Sequence, residues 1–206
     1  RAPGSPLLPS PTLSRSWPEF GSTGDAGEVL MRAIEAAGLD PGRDMAISLD
    51  IAASQFGAKG EYRLARDGRT LDSDELSGLL VDWIERYPIV SIEDPMAEGD
   101  KEGMVRLTWA VGKRVQVIGD DFLVTSAERI RAAARAGAGN AVLIKPNQAG
   151  TLSETLAALK AARKAGFGAI VSARAGETER PEEHTSELQS RRNLVGRPLS
   201  GKKHIL

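Results

Sequence analysis

Residues 115–144 read VQVIGDDFLVTSAERIRAAARAGAGNAVLI, and the fold class can be worked out from this stretch. It begins with a short β-branched run, Val115–Ile118, continues through an amphipathic segment, Ala127–Ala136, and ends in a second apolar run, Ala141–Ile144. Gly137 follows the amphipathic segment, as expected for a left-handed residue that ends a helix. Short buried strands joined by a helix predict a parallel βαβ unit.

The same alternation continues on both sides of this unit. The further strand candidates are Met45–Leu49, Ile89–Ile92 and Gly168–Val171, and the further helices are Glu28–Ala37, Asp74–Tyr87 and Leu152–Ala165. Three helix starts carry a capping-box pattern, namely Asp72 with Glu75, Thr125 with Glu128, and Thr151 with Glu154. About five parallel strands with helical crossovers predict an α/β fold, which is part of either an eight-stranded barrel or an open doubly wound sheet. Pattern alone does not separate these two.

The chain divides into three stretches of different composition. Residues 1–23 contain many prolines and serines, which predicts a disordered or frameshifted leader. Residues 24–179 hold the strand–helix alternation and form the predicted domain. Residues 180–206 are polar and basic, and their phrase EEHTSELQS (182–190) resembles translated sequencing adapter. We therefore expect this last stretch to be a non-native, disordered tail.

Charge and composition exclude several classes of protein. The chain has 27 basic and 28 acidic residues, so it has no basic field that would bind nucleic acid. No apolar run approaches the roughly 20 residues of a membrane-spanning helix, and the absence of cysteine suits a cytoplasmic protein. Both histidines, His184 and His204, lie in the final stretch. Proton chemistry in the predicted domain would therefore use lysine and carboxylates.

Charged side chains follow each predicted strand. In chain order they are Asp50, Glu93, Asp120, Lys145 and Arg174. Because the carboxyl ends of parallel strands meet at one edge, we expect the three carboxylates to converge and to need a cation, for which hard oxygen ligands favour Mg²⁺. A nearby divalent cation and partial burial would favour the neutral amine of Lys145, so that it could act as a base.

Each of these residues also has an ordinary interpretation. A single aspartate at a strand end is more often a helix cap or turn residue, and a single lysine is usually a solvated charge. Asp94 and Asp121 are better explained as supporting or capping residues than as ligands, and Arg174 could form a structural salt bridge. The ordered appearance of acid, acid, acid, lysine and arginine at five successive strand ends favours the functional interpretation.

The wording at these strand ends resembles enolases. The matching phrases are SLDIAASQF (48–56), YPIVSIEDPMAEGD (87–100), VQVIGDDFLVTS (115–126), NAVLIKPNQAGTLSET (140–155) and VSARAGETE (171–179). The resemblance runs from about residue 25 to residue 179. It implies a partial (β/α)₈ TIM-like barrel of the enolase type, taken from the C-terminal domain of a cytoplasmic glycolytic enzyme.

The resemblance also implies roles for individual residues. Asp50, Glu93 and Asp120 resemble the ligands of the catalytic Mg²⁺, and Lys145 resembles the base that removes the C2 proton of 2-phosphoglycerate on the way to phosphoenolpyruvate. Arg174 resembles the arginine that holds the substrate phosphate. The enolase superfamily is itself the known example of a lysine base acting with Mg²⁺. A homodimeric parent protein is implied as well.

Some parts of the enolase pattern differ or are missing. Ala173 and Ala175 stand where enolases read histidine and serine, in SARAGETE against SHRSGETE. The GDEGGF phrase, the N-terminal domain and the last barrel strands have no counterpart, so we expect a truncated, aggregation-prone and inactive fragment of an active parent enzyme. Two alternatives stay open: another enolase-superfamily dehydratase or racemase, and a non-catalytic binding paralogue.

Overall fold

The computed structural model describes residues 24–172 and the backbone of residues 204–205. The helices are α1 (Asp25–Ala36), α2 (Ser73–Arg86), α3 (Lys101–Val111), α4 (Ala127–Ala136), α5 (Pro146–Ala149) and α6 (Leu152–Ala165), with a 3₁₀ turn at Ala53–Gln55. The strands are β1 (Met45–Asp50), β2 (Gly57–Ala58), β3 (Glu61–Leu64), β4 (Arg69–Asp72), β5 (Ile89–Glu93), β6 (Gln116–Gly119), β7 (Ala141–Ile144), β8 (Gly168–Val171) and β9 (His204–Ile205). None of the helices within these ranges is long and apolar enough to cross a membrane.

The main sheet has the strand order β8-β7-β6-β5-β1-β9, and neighbouring strands in it pair in parallel. From β1 to β8, spatial order follows chain order, and a helix connects each neighbouring pair. An open doubly wound sheet would reverse its order at a switch point, whereas a barrel adds strands in sequence. The α/β class and the partial barrel are therefore confirmed, and the doubly wound alternative is wrong for the strands described.

Burial explains why these short apolar runs form the sheet. All four residues of β7 are buried, and β1, β5 and β6 bury residues such as Ile47, Ile92 and Val117. Strands that are covered on both faces read as continuous apolar runs. On the outside, α2 buries Leu76, Leu80 and Ile84, which recur every four residues and so lie on one face of the helix.

A second, antiparallel sheet of β2, β3 and β4 was not predicted from the sequence. Its strands are at most four residues long, and only alternate positions are buried, among them Tyr62 and Leu71. A turn signal was nevertheless present, because Asp67-Gly68 lies between β3 and β4 and Gly68 adopts a φ of 62°. Helix α3 was also missed, although Asp100 caps it by accepting the Gly103 N–H at 2.9 Å.

Two of the three predicted helix caps are present in the structure. Asp72 and Glu75 form the reciprocal capping box at the start of α2, and Thr151 caps α6. The predicted Thr125 cap is wrong, because Ser126 caps α4. Thr125 instead adopts a φ of 51° and turns its hydroxyl towards the next strand, where it accepts the backbone N–H of Lys145.

Candidate metal and proton-transfer site

Three carboxylates lie at the carboxyl edge of the main sheet. Asp50 is the last residue of β1 and Glu93 is the last residue of β5, and the two are register partners across the strand pair. Asp120 follows β6 directly, two residues beyond Ile118, which pairs with Glu93. The structure therefore brings the predicted metal ligands to neighbouring positions on one edge.

The electrostatics of Glu93 reflect this crowding of negative charge. Burial of the half-buried side chain, followed by repulsion from Asp50 and Asp120, raises the pKa of Glu93 to about 7. Desolvation also raises the pKa of Asp50, with a further contribution from Asp120. Carboxylates repel one another in this way when positive charge between them is insufficient.

Lys145 supplies positive charge at the same edge. It follows β7 directly, and its Nζ lies 2.5 Å from Oδ2 of Asp120. Both side chains are largely buried, with 13% and 14% of their surfaces exposed. An ion pair shielded from water to this extent is screened far less than a surface pair. The Lys145 amine and the Asp120 carboxylate therefore form a close, partly shielded ion pair.

Asp94 holds the backbone of the loop that begins at Asp120. It is 5% exposed, and its two carboxylate oxygens accept the backbone N–H groups of Asp120 and Asp121 at 2.9 and 2.8 Å. Burial outweighs these hydrogen bonds and raises the pKa of Asp94 to about 6. One carboxylate oxygen from each of these three residues lies within 4.8 Å of the others. Because Asp94 is buried and both its oxygens hold backbone N–H groups of the loop that carries Asp120, its position is that of a residue that supports the loop.

The sequence pattern assigns Thr125 to a helix cap and gives Gln148 no role, yet both side chains contact the site. Thr125 Oγ1 lies 2.6 Å from Gln148 Oε1, and Gln148 Nε2 lies 3.3 Å from Asp120 Oδ1. Gln148 lies three residues after Lys145 in the phrase KPNQ, and this closeness in sequence could have indicated that its side chain reaches the site. Arg174, Ala173 and Ala175 lie outside the described residues, so the phosphate contact stays a prediction.

The residues present fit a divalent cation. Asp50, Glu93 and Asp120 offer hard carboxylate oxygens, the ligand type that Mg²⁺ prefers in proteins, and repulsion from Asp50 and Asp120 adds to burial in raising the pKa of Glu93. Asp50, Glu93 and Asp120 would hold such an ion, with Lys145 beside it. This ligand set remains a prediction from the sequence that the backbone geometry allows.

Comparison with known families identifies the domain. The profile described as "Enolase, C-terminal TIM barrel domain" matches residues 16–186, which is most of the chain. The match includes every strand from β1 to β8 and all the strand-end residues discussed above. Enolases are lyases that bind Mg²⁺, which agrees with an edge of convergent carboxylates. The chain therefore belongs to the enolase family, within its C-terminal TIM barrel domain.

Proposed function

We propose that this domain carries the metal and proton-transfer part of a phosphopyruvate hydratase, which interconverts 2-phosphoglycerate and phosphoenolpyruvate plus water. The observation that carries the proposal is the buried pair of Lys145 and Asp120 at 2.5 Å, beside two further strand-end carboxylates. A base next to carboxylate ligands suits removal of a proton from the carbon adjacent to a substrate carboxylate.

In this proposal each side chain has one task. Asp50, Glu93 and Asp120 hold Mg²⁺, which would supply positive charge for the negative charge that develops on the substrate carboxylate. Lys145, as the neutral amine, accepts the C2 proton at Nζ and becomes the ammonium form, and Arg174 binds the substrate phosphate through its guanidinium. A cytoplasmic location and a homodimer are parts of the same proposal.

The orientation of Lys145 supports its role as the base. Its backbone N–H donates to Thr125 Oγ1 at 3.1 Å, and its Nζ contacts Asp120, so both ends of the residue are held. A base works best when it is fixed within hydrogen-bonding reach of the proton that it removes. The lysine amine is directed along the edge where the carboxylates lie, and not into bulk solvent.

The test is an assay of the full-length gene product for Mg²⁺-dependent conversion of 2-phosphoglycerate to phosphoenolpyruvate. We expect Lys145→Ala to lower kcat at least ~100-fold, because general base catalysis typically contributes about 10²–10⁴-fold. Lys113→Ala is the matched control, since Lys113 is an exposed lysine after α3, and it should leave the rate unchanged.

Three outcomes would contradict the proposal. A Lys145→Ala variant that keeps the rate would exclude this lysine as the base. Turnover of a sugar acid with none of 2-phosphoglycerate would instead support another reaction of the superfamily. A folded full-length protein that binds a phosphorylated ligand without turnover would support a non-catalytic paralogue.

A further inference from the structure

A chain of hydrogen bonds links the backbone of Lys145 to the carboxylate of Asp120 through two other side chains. The Lys145 N–H donates to Thr125 Oγ1 at 3.1 Å, and Thr125 Oγ1 lies 2.6 Å from Gln148 Oε1. Gln148 Nε2 then lies 3.3 Å from Asp120 Oδ1. The other Asp120 oxygen, Oδ2, contacts Lys145 Nζ. Both oxygens of this carboxylate are therefore held by partners from the β7–α5 segment.

The direction of each hydrogen bond follows from the groups involved. Thr125 Oγ1 accepts the Lys145 N–H, and its single proton is free to be donated elsewhere. The nearest acceptor is Gln148 Oε1 at 2.6 Å, which is closer than the Leu143 carbonyl oxygen at 3.4 Å. With Oε1 accepting, the Gln148 amide nitrogen is the group that faces Asp120, and it can only donate. The chain therefore ends with an N–H pointing at Asp120.

The loop after β6 has a left-handed backbone at Val124 and Thr125, and this conformation brings the Thr125 hydroxyl to the Lys145 N–H and the Gln148 side chain. Val124 and Thr125 have φ angles of 44° and 51°, a region that β-branched residues rarely adopt. Asp94 holds the start of the loop by accepting the N–H groups of Asp120 and Asp121. Thr125 is 2% exposed, so its hydroxyl is satisfied by protein groups and not by water.

We infer that Thr125 and Gln148 are positioning residues that fix the orientation of the Asp120 carboxylate for a divalent cation. The inference rests on the proposed function, because it assumes that Asp120 is a ligand. Neither residue would contact the cation or the substrate. Partners that hold a ligating carboxylate reduce the freedom that it loses on coordination, and their removal typically weakens metal binding by about 10–100-fold.

The experiment measures Mn²⁺ binding by the whole 206-residue chain, with free Mn²⁺ counted by electron paramagnetic resonance. Mn²⁺ serves as the probe because it takes the same oxygen ligands as Mg²⁺. We expect Thr125→Val, which keeps the β-branched shape, and Gln148→Met, which keeps the length, each to weaken binding ~10-fold. Thr125→Ser retains the hydroxyl and should restore the affinity of the unchanged chain.

Thr155→Val is the matched control for loss of a buried threonine hydroxyl. Thr155 is 6% exposed, and its hydroxyl donates to the Thr151 carbonyl within α6. This variant should bind Mn²⁺ as the unchanged chain does. If it weakens binding as much as Thr125→Val, the effect is general destabilisation and the inference is overturned.

A second readout does not depend on metal. The side-chain amide resonance of Gln148, assigned by its absence in Gln148→Met, should shift in metal-free Thr125→Val and return in Thr125→Ser. If it does not move, the hydrogen-bonded chain does not exist. Should Thr125→Val not fold, Gln148→Met decides the binding test by itself.

Absence of the metal site and absence of the positioning role would give different binding results. If the unchanged chain binds no Mn²⁺, the proposed metal site is wrong and this inference falls with it. If the unchanged chain binds Mn²⁺ and both Thr125→Val and Gln148→Met bind it equally well, the metal site stands and the positioning role alone is overturned.

Discussion

Replacing Tyr62 with phenylalanine would test how the small antiparallel sheet is attached to the barrel. Tyr62 lies in β3 and is 0% exposed. Its hydroxyl donates to Asp100 Oδ2 at 2.7 Å and accepts the Ala97 N–H at 3.0 Å. Both partners lie in the segment that follows Glu93, so this one hydroxyl connects the small sheet to a strand end of the candidate site.

The expected loss of stability follows from these two bonds. A hydrogen bond to a charged group contributes roughly 1.5–3 kcal/mol, and a buried N–H without a partner costs roughly 1–3 kcal/mol. Asp100 keeps its bonds from Ser73 and Gly103, so the two figures will not add in full. We therefore expect Tyr62→Phe to lower the free energy of unfolding by about 3 kcal/mol.

The assay is urea unfolding followed by far-ultraviolet circular dichroism. Tyr87→Phe is a matched control, because the chain has two tyrosines and the Tyr87 hydroxyl makes a solvent-exposed bond to Glu28 at 3.1 Å. That variant should lose less than about 1 kcal/mol. Spectrophotometric titration provides a second check, since burial and the bond to Asp100 raise the pKa of Tyr62 to about 12.

A particular result would refute this reasoning. If Tyr62→Phe and Tyr87→Phe lose the same free energy of unfolding, the buried hydroxyl contributes no more than an exposed one. The attachment of the small sheet would then depend on the packing of the Tyr62 ring alone, including its edge contact with Phe56.

Two further variants test the hydrogen bonds of Asn140 and the raised pKa of Glu93. The Asn140 side chain accepts the Val117 N–H at 2.7 Å and donates to the carbonyls of Gly112 and Val115 at 2.9 and 3.0 Å. Asn140→Ala should therefore lower the free energy of unfolding, measured in urea, by about 2–4 kcal/mol. A loss below about 1 kcal/mol would contradict this expectation. In the metal-free chain the pKa of Glu93 is raised from 4.5 to about 7, so its carboxyl contributes stability below pH 4.5 that is lost as pH rises towards 7. Glu93→Gln should flatten the dependence of unfolding free energy on pH over this window, and an unchanged slope would show that another group is responsible.

Much of the fold could be predicted because its signals are local. The bounds of Ala127–Ala136, Ala141–Ile144 and Leu152–Ala165 follow from apolar spacing, a polar residue before each helix and a glycine after it. Interactions within one or two turns depend only on near neighbours in the chain. The position of Asp50, Glu93 and the other strand-end residues could also be predicted, because parallel strands place their carboxyl ends on one edge.

Tertiary structure alone decided which side chains that are distant in the sequence contact one another. Thr125 fits the sequence pattern of a helix cap, yet its left-handed backbone turns the hydroxyl to a residue 20 positions away, and Ser126 caps the helix. Tyr62 and Asp100 are 38 positions apart, and neither carries a local signal for the other. Such partners are chosen by the packing of the whole sheet, which brings distant backbone segments together and leaves a buried polar group only the partners within its reach.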